Sequence, residues 1–196
     1  PSGFGTNGRV DLTEGIPRAT RVDMNYQGRN LLGVKSPPVV LRDVVVAPTI
    51  ISDFVVKKEA PPGWLKGIDA RTGDTLWVYN PKSYEEGTTA MTVTWRQRGV
   101  AYWRSAEADS SGAFEERIFW GTGSGDLICV DAKTGYPCAG FGIDGRIDLT
   151  ATLPRADRQQ RDYLNAMLYS VQSPPIVVGD VVIHGSSIAD RRINKE

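Results

Sequence analysis

Histidine occurs once and cysteine twice among the 196 residues. A zinc centre built on several imidazoles or four thiolates is therefore excluded, and two cysteines do not make a disulfide framework. Cys129 and Cys138 stand nine apart and read as a strand thiol and a turn thiol that do not meet, so they leave the compartment open. Neither sign of charge prevails, since 23 Lys and Arg balance 23 Asp and Glu. A general electrostatic footprint for nucleic acid is thereby lacking. No apolar run approaches the ~18 residues needed to span a bilayer. The stretch Pro1–Gly8 has no basic or apolar export region, and both ends read as cut from something longer. No Ser/His/Asp set, phosphate-cradling glycine loop or dinucleotide fingerprint is found.

Glycine is abundant, at 21, and proline, at 12, punctuates short β-branched bursts. This composition predicts many strands joined by tight turns. Val39–Leu41 and Val44–Val46 flank Arg42-Asp43, and Ile176–Val178 and Val181–Ile183 flank Gly179-Asp180, the pattern of two β-hairpins. A third hairpin is expected to join Arg117–Gly121 to Leu127–Val130 through Ser124-Gly125-Asp126. The strands Leu65–Ile68 and Leu127–Val130 each run into an Asp-Ala-Arg/Lys-Thr-Gly turn, at 69–73 and 131–135, where the Asp caps and the Gly accepts positive φ. A strand over Asp74–Tyr79 follows the first turn. Helix is scarce, with Arg158–Leu168 the one candidate.

Displacing the chain by 137 positions aligns residues 1–59 with 138–196 without a gap, and 26 of the 59 pairs are identical. Such self-similarity marks architectures in which each unit buries its faces against its neighbours. Sandwich, barrel and propeller all accommodate short antiparallel strands. Trp77, four residues past Gly73, tilts the choice: its ring can lie across the neighbouring sheet while the indole N–H finds a backbone acceptor, a joint that tiles sheets radially. An ordinary hairpin turn with a core tryptophan is the competing reading. The expected fold is all-β, a single partial propeller domain over 1–196 of about four four-stranded blades.

Four segments then give a resemblance: Gly67–Trp77, Gln97–Trp103, Arg117–Gly123 running into Leu127–Gly135, and Ser173–Val182. Together they resemble the pyrroloquinoline quinone (PQQ)-dependent alcohol and glucose dehydrogenases, quinoproteins built on an eight-bladed β-propeller. Two departures stand out. The tryptophan position of the second turn repeat is Ala139, with Phe141 the nearest aromatic, and Thr92-Val93 stands where some relatives carry adjacent cysteines. The order differs too: residues 1–77 resemble a stretch that in the family follows the Arg98–Trp103 blade, and that stretch begins again at 138. Duplication, permutation or splicing at the shared turn would each produce this.

The resemblance implies PQQ, Ca²⁺, an alcohol or sugar substrate, a cytochrome or quinone as electron acceptor, and a periplasmic location. PQQ is a flat tricarboxylate, so its site calls for a guanidinium, small residues or ring plates, and oxygen ligands for a divalent ion. By resemblance Arg98 and Gly99 contact the cofactor, Ser187, Ile188 and Ala189 line it, Trp103 is a candidate plate, and Asp190 is the Ca²⁺ ligand. Each has a plainer alternative: a surface arginine, a structural tryptophan, a solvated loop aspartate. Asp53, the counterpart of Asp190 in the first copy, ranks lower. His184 reads as packed or hydrogen-bonded, and Glu85-Glu86 and Glu115-Glu116 as solvated faces. The catalytic base of the family falls outside the matched stretch and is not assigned. A non-catalytic propeller scaffold binding protein partners remains the second reading, and open sheet edges would favour self-association.

Overall fold

The computed structural model describes residues 3–17, 32–34, 36–51, 63–82, 98–106, 114–122, 125–152, 169–171 and 173–188. Fourteen strands and no helix occur among them: β1 (Leu32–Gly33), β2 (Val39–Leu41), β3 (Val44–Pro48), β4 (Ile50–Ile51), β5 (Leu65–Asp69), β6 (Thr75–Tyr79), β7 (Ala101–Arg104), β8 (Glu116–Gly121), β9 (Asp126–Asp131), β10 (Arg146–Asp148), β11 (Tyr169–Ser170), β12 (Ile176–Val178), β13 (Val181–Ile183) and β14 (Ser187–Ile188). The helix candidate at 158–168 lies outside the described residues.

Two four-stranded antiparallel sheets carry the fold, in the orders β2-β3-β5-β6 and β10-β9-β8-β7. A β12-β13 hairpin opens a third leaf, and the two-stranded ladders β1-β4 and β11-β14 flank the hairpins. All three expected hairpins form in register, Leu41 facing Val44, Gly121 facing Leu127 and Val178 facing Val181. The sequence repeat reappears strand for strand: adding 137 to the bounds of β1, β2 and β4 gives those of β11, β12 and β14.

Side-chain alternation makes the central sheet the middle layer of a stack. Ile118, Trp120, Ile128 and Val130 join Leu41, Val44, Val46, Leu65 and Trp77 of the first sheet in one core. On its other face Phe119, Leu127 and Cys129 pack with Val177 and Val182 of the third leaf. Covered on both faces, β9 is buried at all six positions. This is the leaf-on-leaf packing of a partial propeller.

Trp77 makes the first joint. It is buried, and its Nε1–H donates to the Ala132 carbonyl at 3.1 Å, across from its own sheet to the next. Glycines make room for the ring. A Cβ at Gly67 would stand 2.1 Å from Cε2 and one at Gly135 2.6 Å from Cε3. Gly135 also has φ +71°, closing the turn in which Asp131 accepts N–H bonds from Lys133 and Thr134 at 3.0 and 2.8 Å. At the second joint Phe141 meets Phe119 edge-on, with centroids 5.4 Å apart.

Two sequence expectations are overturned. Cys129 and Cys138 form a disulfide, Cα atoms 5.5 Å apart. The Asp131–Gly135 turn folds the chain back onto β9, a Val130–Pro137 bridge follows, and the Cys138 N–H reaches the Cys129 carbonyl at 3.0 Å, so a separation of nine becomes a cross-strand neighbour. Glu116 is likewise buried rather than solvated, because β8 runs between two sheets.

Candidate functional site

The Arg98-Gly99 step lies at the mouth of β7. Gly99 has φ +144°, a conformation rare for L side chains, and a Cβ there would stand 3.0 Å from Pro174 Cγ. Glycine thus lets the start of β7 close on the Ser173–Pro175 connection between β11 and β12. Arg98 itself is exposed, and its side chain meets no hydrogen-bond or ion-pair partner among the described residues. A free guanidinium beside a tightly packed glycine is chemically suited to a carboxylate-bearing ligand.

Ser187 and Ile188 form β14, pairing with Ser170 and Tyr169 of β11. The Gly121 backbone packs against Val171, immediately after β11, and the Val171 N–H donates to the Thr122 carbonyl at 3.2 Å. The central leaf therefore touches the β11–β12 connection at both Gly99 and Gly121. Ala189, Asp190 and Asp53 lie outside the described residues, as do Thr92-Val93 and Glu85-Glu86. No group of three or more His, Cys, Asp or Glu suited to a metal occurs among the described residues.

Trp103 is held by protein on two sides. Its Nε1–H donates to Asp180 Oδ1 at 3.0 Å, and the Arg117 guanidinium sits 5.0 Å from the ring centroid. Asp180 belongs to the Gly179-Asp180 hairpin turn, so this tryptophan ties the central leaf to the third. Sequence reasoning put Asp180 in a hairpin turn and did not pair it with Trp103. His184 has a buried Nδ1 without a hydrogen-bond partner among the described residues.

Between the first two leaves runs an open groove of about 630 Å³ whose charged lining is Arg42, Asp43, Arg71, Glu116 and Lys133. Among the described residues, Arg98, Gly99 and Trp103 are not part of its lining. Glu116 Oε1 accepts the Tyr102 hydroxyl at 2.9 Å and lies 3.3 Å from Arg42 Nε and 3.9 Å from Arg104 Nε. Burial, reinforced by this bond to Glu116, pushes the Tyr102 phenol above its ordinary range. Arg42 comes from the β2–β3 turn and Arg104 from β7, so the carboxylate clamps two leaves.

The family model for the β-propeller domain of glucose, ethanol and alcohol dehydrogenases, the PQQ family, matches residues 1–97 and again 68–196. The chain belongs to this family. The two matches overlap over residues 68–97. Quinoprotein glucose dehydrogenase of Gluconobacter oxydans is 31% identical over 134 residues, covering 64% of this chain and 15% of that protein. A probable quinate dehydrogenase (quinone) of Xanthomonas campestris pv. juglandis is 31% identical over 153 residues, 69% of this chain and 18% of the relative. Among solved structures, a quinohemoprotein alcohol dehydrogenase from Comamonas testosteroni superposes with a TM-score of 0.46 at 22% identity, covering 79% of this chain and 17% of that one. The PQQ-family chain thus spans less than a fifth of the length of the relatives it matches.

Proposed function

We propose that this chain forms part of the cofactor side of a PQQ- and Ca²⁺-dependent dehydrogenase that oxidises alcohols or sugars. The observation that carries the reading is Arg98: an exposed guanidinium without a partner among the described residues, in a chain matched along its length by the PQQ-family domain. In this reading Arg98 binds a carboxylate of the quinone, with Gly99 keeping the backbone close. Ser187, Ile188 and Ala189 present small and apolar surface to the rings, and Trp103 borders the site from its place against Arg117. Asp190 supplies an oxygen ligand to Ca²⁺, a hard cation suited to carboxylates. When bound, PQQ supplies the two-electron acceptor for hydride from the substrate carbon. No residue of the chain is assigned as the base. Electrons would pass on to a cytochrome or quinone. A periplasmic location fits the Cys129–Cys138 disulfide, since such bonds persist in oxidising compartments.

Titration with PQQ in the presence of Ca²⁺, followed by cofactor absorbance and by the shift in melting temperature, tests the binding. Arg98→Ala should weaken it by about 10- to 100-fold, as expected for loss of a paired charge-assisted contact. Asp190→Asn should remove the Ca²⁺ requirement or the Ca²⁺-dependent shift. Saturable binding without turnover on an alcohol and aldose panel fits a chain lacking the base. Absence of binding, or binding indifferent to Arg98→Ala, would refute the reading. A second reading, a scaffold that binds protein partners, is favoured by Trp103, whose polar edge is bonded to Asp180 and whose ring is covered by Arg117.

A further inference from the structure

Residues 3–17 form an arch that lies against the first leaf. The Gly5 N–H donates to the Thr72 carbonyl at 2.7 Å, the Lys66 ammonium donates to the Glu14 carbonyl, and Ile16 and Leu32 pack against Trp64. Between the arch and β5-β6 runs a cleft of about 980 Å³, walled on both sides by this chain. That is at the upper end of the ~300–1,000 Å³ of small-molecule sites. Its charged lining is Arg9, Asp11, Glu14, Lys66 and Asp74, and Trp64 is its aromatic residue. None of the described residues assigned to the quinone lines it.

Two buried donors on the floor of this cleft are short of acceptors. Lys66 is 2% exposed. An ammonium carries several N–H groups, yet that of Lys66 makes a single hydrogen bond and no ion pair among the described residues. The Trp64 Nε1–H is buried without a partner. Polar groups buried in this state are costly and call for an explanation. On the rim the shortage is reversed. Asp11, Glu14 and Asp74 are exposed, and an ionised carboxylate accepts without donating. Thr13 fixes Asp11 through its N–H and hydroxyl, at 2.9 and 2.6 Å, both to Oδ1, which leaves Oδ2 open among the described residues. A ligand must therefore accept at the floor and donate at the rim. A carboxylate would satisfy the floor and be repelled by three acids, and an amine would satisfy the rim and be repelled by Lys66. A hydroxyl does both, and a carbon skeleton bearing several suits the apolar body of an indole. We propose that the cleft binds a neutral polyhydroxy compound, an aldose or alditol: Lys66 donates to one hydroxyl, Asp11, Glu14 and Asp74 accept from others, and Trp64 borders the skeleton. The site is separate from that of Arg98, and the proposal is independent of cofactor binding.

Ligand-observed NMR titration of the 196-residue chain with D-glucose, D-glucitol and D-gluconate, without PQQ or Ca²⁺, tests it. Glucose or glucitol should bind saturably with a Kd of about 1–10 mM, and gluconate about 10-fold or more weakly. Lys66→Met keeps the reach of the side chain and removes its donors, so it should weaken binding by about 10-fold or more. Where far-UV circular dichroism shows that Lys66→Met does not fold, the exposed double variant Glu14→Ala/Asp74→Ala decides: weakening by about 10-fold supports the site and unchanged affinity overturns it. Absence of saturable binding up to about 100 mM overturns the proposal. So does affinity indifferent to a folded Lys66→Met, and so does gluconate bound as tightly as glucose, which would mean an anion site. A polyol whose binding is abolished by Arg98→Ala and not by Lys66→Met lies at the other site and overturns it as well.

Discussion

The joint made by Trp77 is the interaction on which the stacking of the first two leaves turns, and its removal has a calculable cost. Trp77→Ala deletes a buried indole and leaves a cavity between two sheets, an event that costs about 3–5 kcal/mol in protein cores. It also strands the Ala132 carbonyl, which accepts the indole N–H at 3.1 Å; an unpaired buried acceptor adds about 1–3 kcal/mol where water does not reach it. Against a total stability of about 5–15 kcal/mol this is a large fraction. Trp77→Phe keeps most of the ring contact and should lose mainly the hydrogen-bond share. A third substitution isolates the ring's contact with the neighbouring turn. Gly135→Ala drives a methyl to within 2.6 Å of the indole and strains a positive-φ position, but with Trp77→Ala in place only the backbone strain remains. The two losses should therefore be strongly non-additive, with a coupling of about 1–3 kcal/mol. Urea unfolding followed by far-UV circular dichroism measures all four corners of the cycle. An additive cycle, or a Trp77→Ala cost below about 1 kcal/mol, would show that the ring is not wedged between the leaves.

Other consequences follow from the same geometry. Cys129→Ala/Cys138→Ala should lower stability by about 2–3 kcal/mol, the chain-entropy value for so short a loop, and the unsubstituted protein should resist alkylation until reduced. Free thiols in the oxidised protein would contradict the pairing. Glu116→Ala should cost about 1–3 kcal/mol because the Tyr102 hydroxyl loses its acceptor, while Glu116→Asp should recover only part if the carboxylate must reach both Arg42 and Arg104. Lys66 is buried, and its ammonium donates to the Glu14 carbonyl. Burial holds it below the usual lysine range. Between that lowered value and 10.5 the unfolded chain binds more protons than the folded one, so this group makes stability rise with pH across the window. Lys66→Met should remove that slope; equal slopes in the two proteins would refute the assignment. At the acid end, backbone N–H groups of Thr72 and Arg71 hold the Asp69 carboxyl below its ordinary 3.8. Its contribution is present above 3.8 and lost as pH falls through the lower folded value, a loss that Asp69→Asn should abolish.

Hairpins, turns and the docking tryptophan were legible because each is set by residues close in sequence. Arg42-Asp43 and Gly179-Asp180 sit between apolar triplets, and a turn of that length leaves one register open to the strands. Trp77 was legible because a large ring four residues beyond a turn glycine has few places to go. What escaped was contact between leaves. Glu116 looks like half of an acidic surface pair until β8 is known to run between two sheets, where Tyr102 and Arg104 arrive from β7 and Arg42 from the β2–β3 turn. Asp180 looks like a turn residue and nothing more until Trp103 is seen to reach it over 77 positions. At Arg98-Gly99 the close backbone approach expected of the glycine is found, with Gly99 at φ +144° against Pro174, whereas the cofactor role of Arg98 rests on the proposal and Asp190 lies outside the described residues.

The disulfide was also written in the sequence, in the comparison of the two turn repeats with each other. A displacement of 62 positions carries Asp69 onto Asp131, Trp77 onto Ala139, Gly67 onto Cys129 and Leu76 onto Cys138. In the first leaf Gly67 pairs across the ladder with Trp77, and the register shifts beside it, at Gly67/Ile68. The glycine is needed there because the indole lies on it, and Leu76, displaced by the irregularity, points outward and is half exposed. In the central leaf the tryptophan is gone, so the facing position no longer has to be glycine, and both it and the residue at the irregularity are cysteine. The place where one leaf is held by a ring pressed on bare backbone is the place where the next is held by a covalent bond. Each solution fixes the strand after the turn against its neighbour. They differ in reach: the tryptophan also bonds to the adjoining leaf through Ala132, whereas the disulfide closes within its own leaf and leaves the contact beyond to Phe119, Phe141, Val177 and Val182. Reduction should accordingly loosen the central leaf without parting it from the first, while loss of Trp77 should part the first two leaves and leave the disulfide intact.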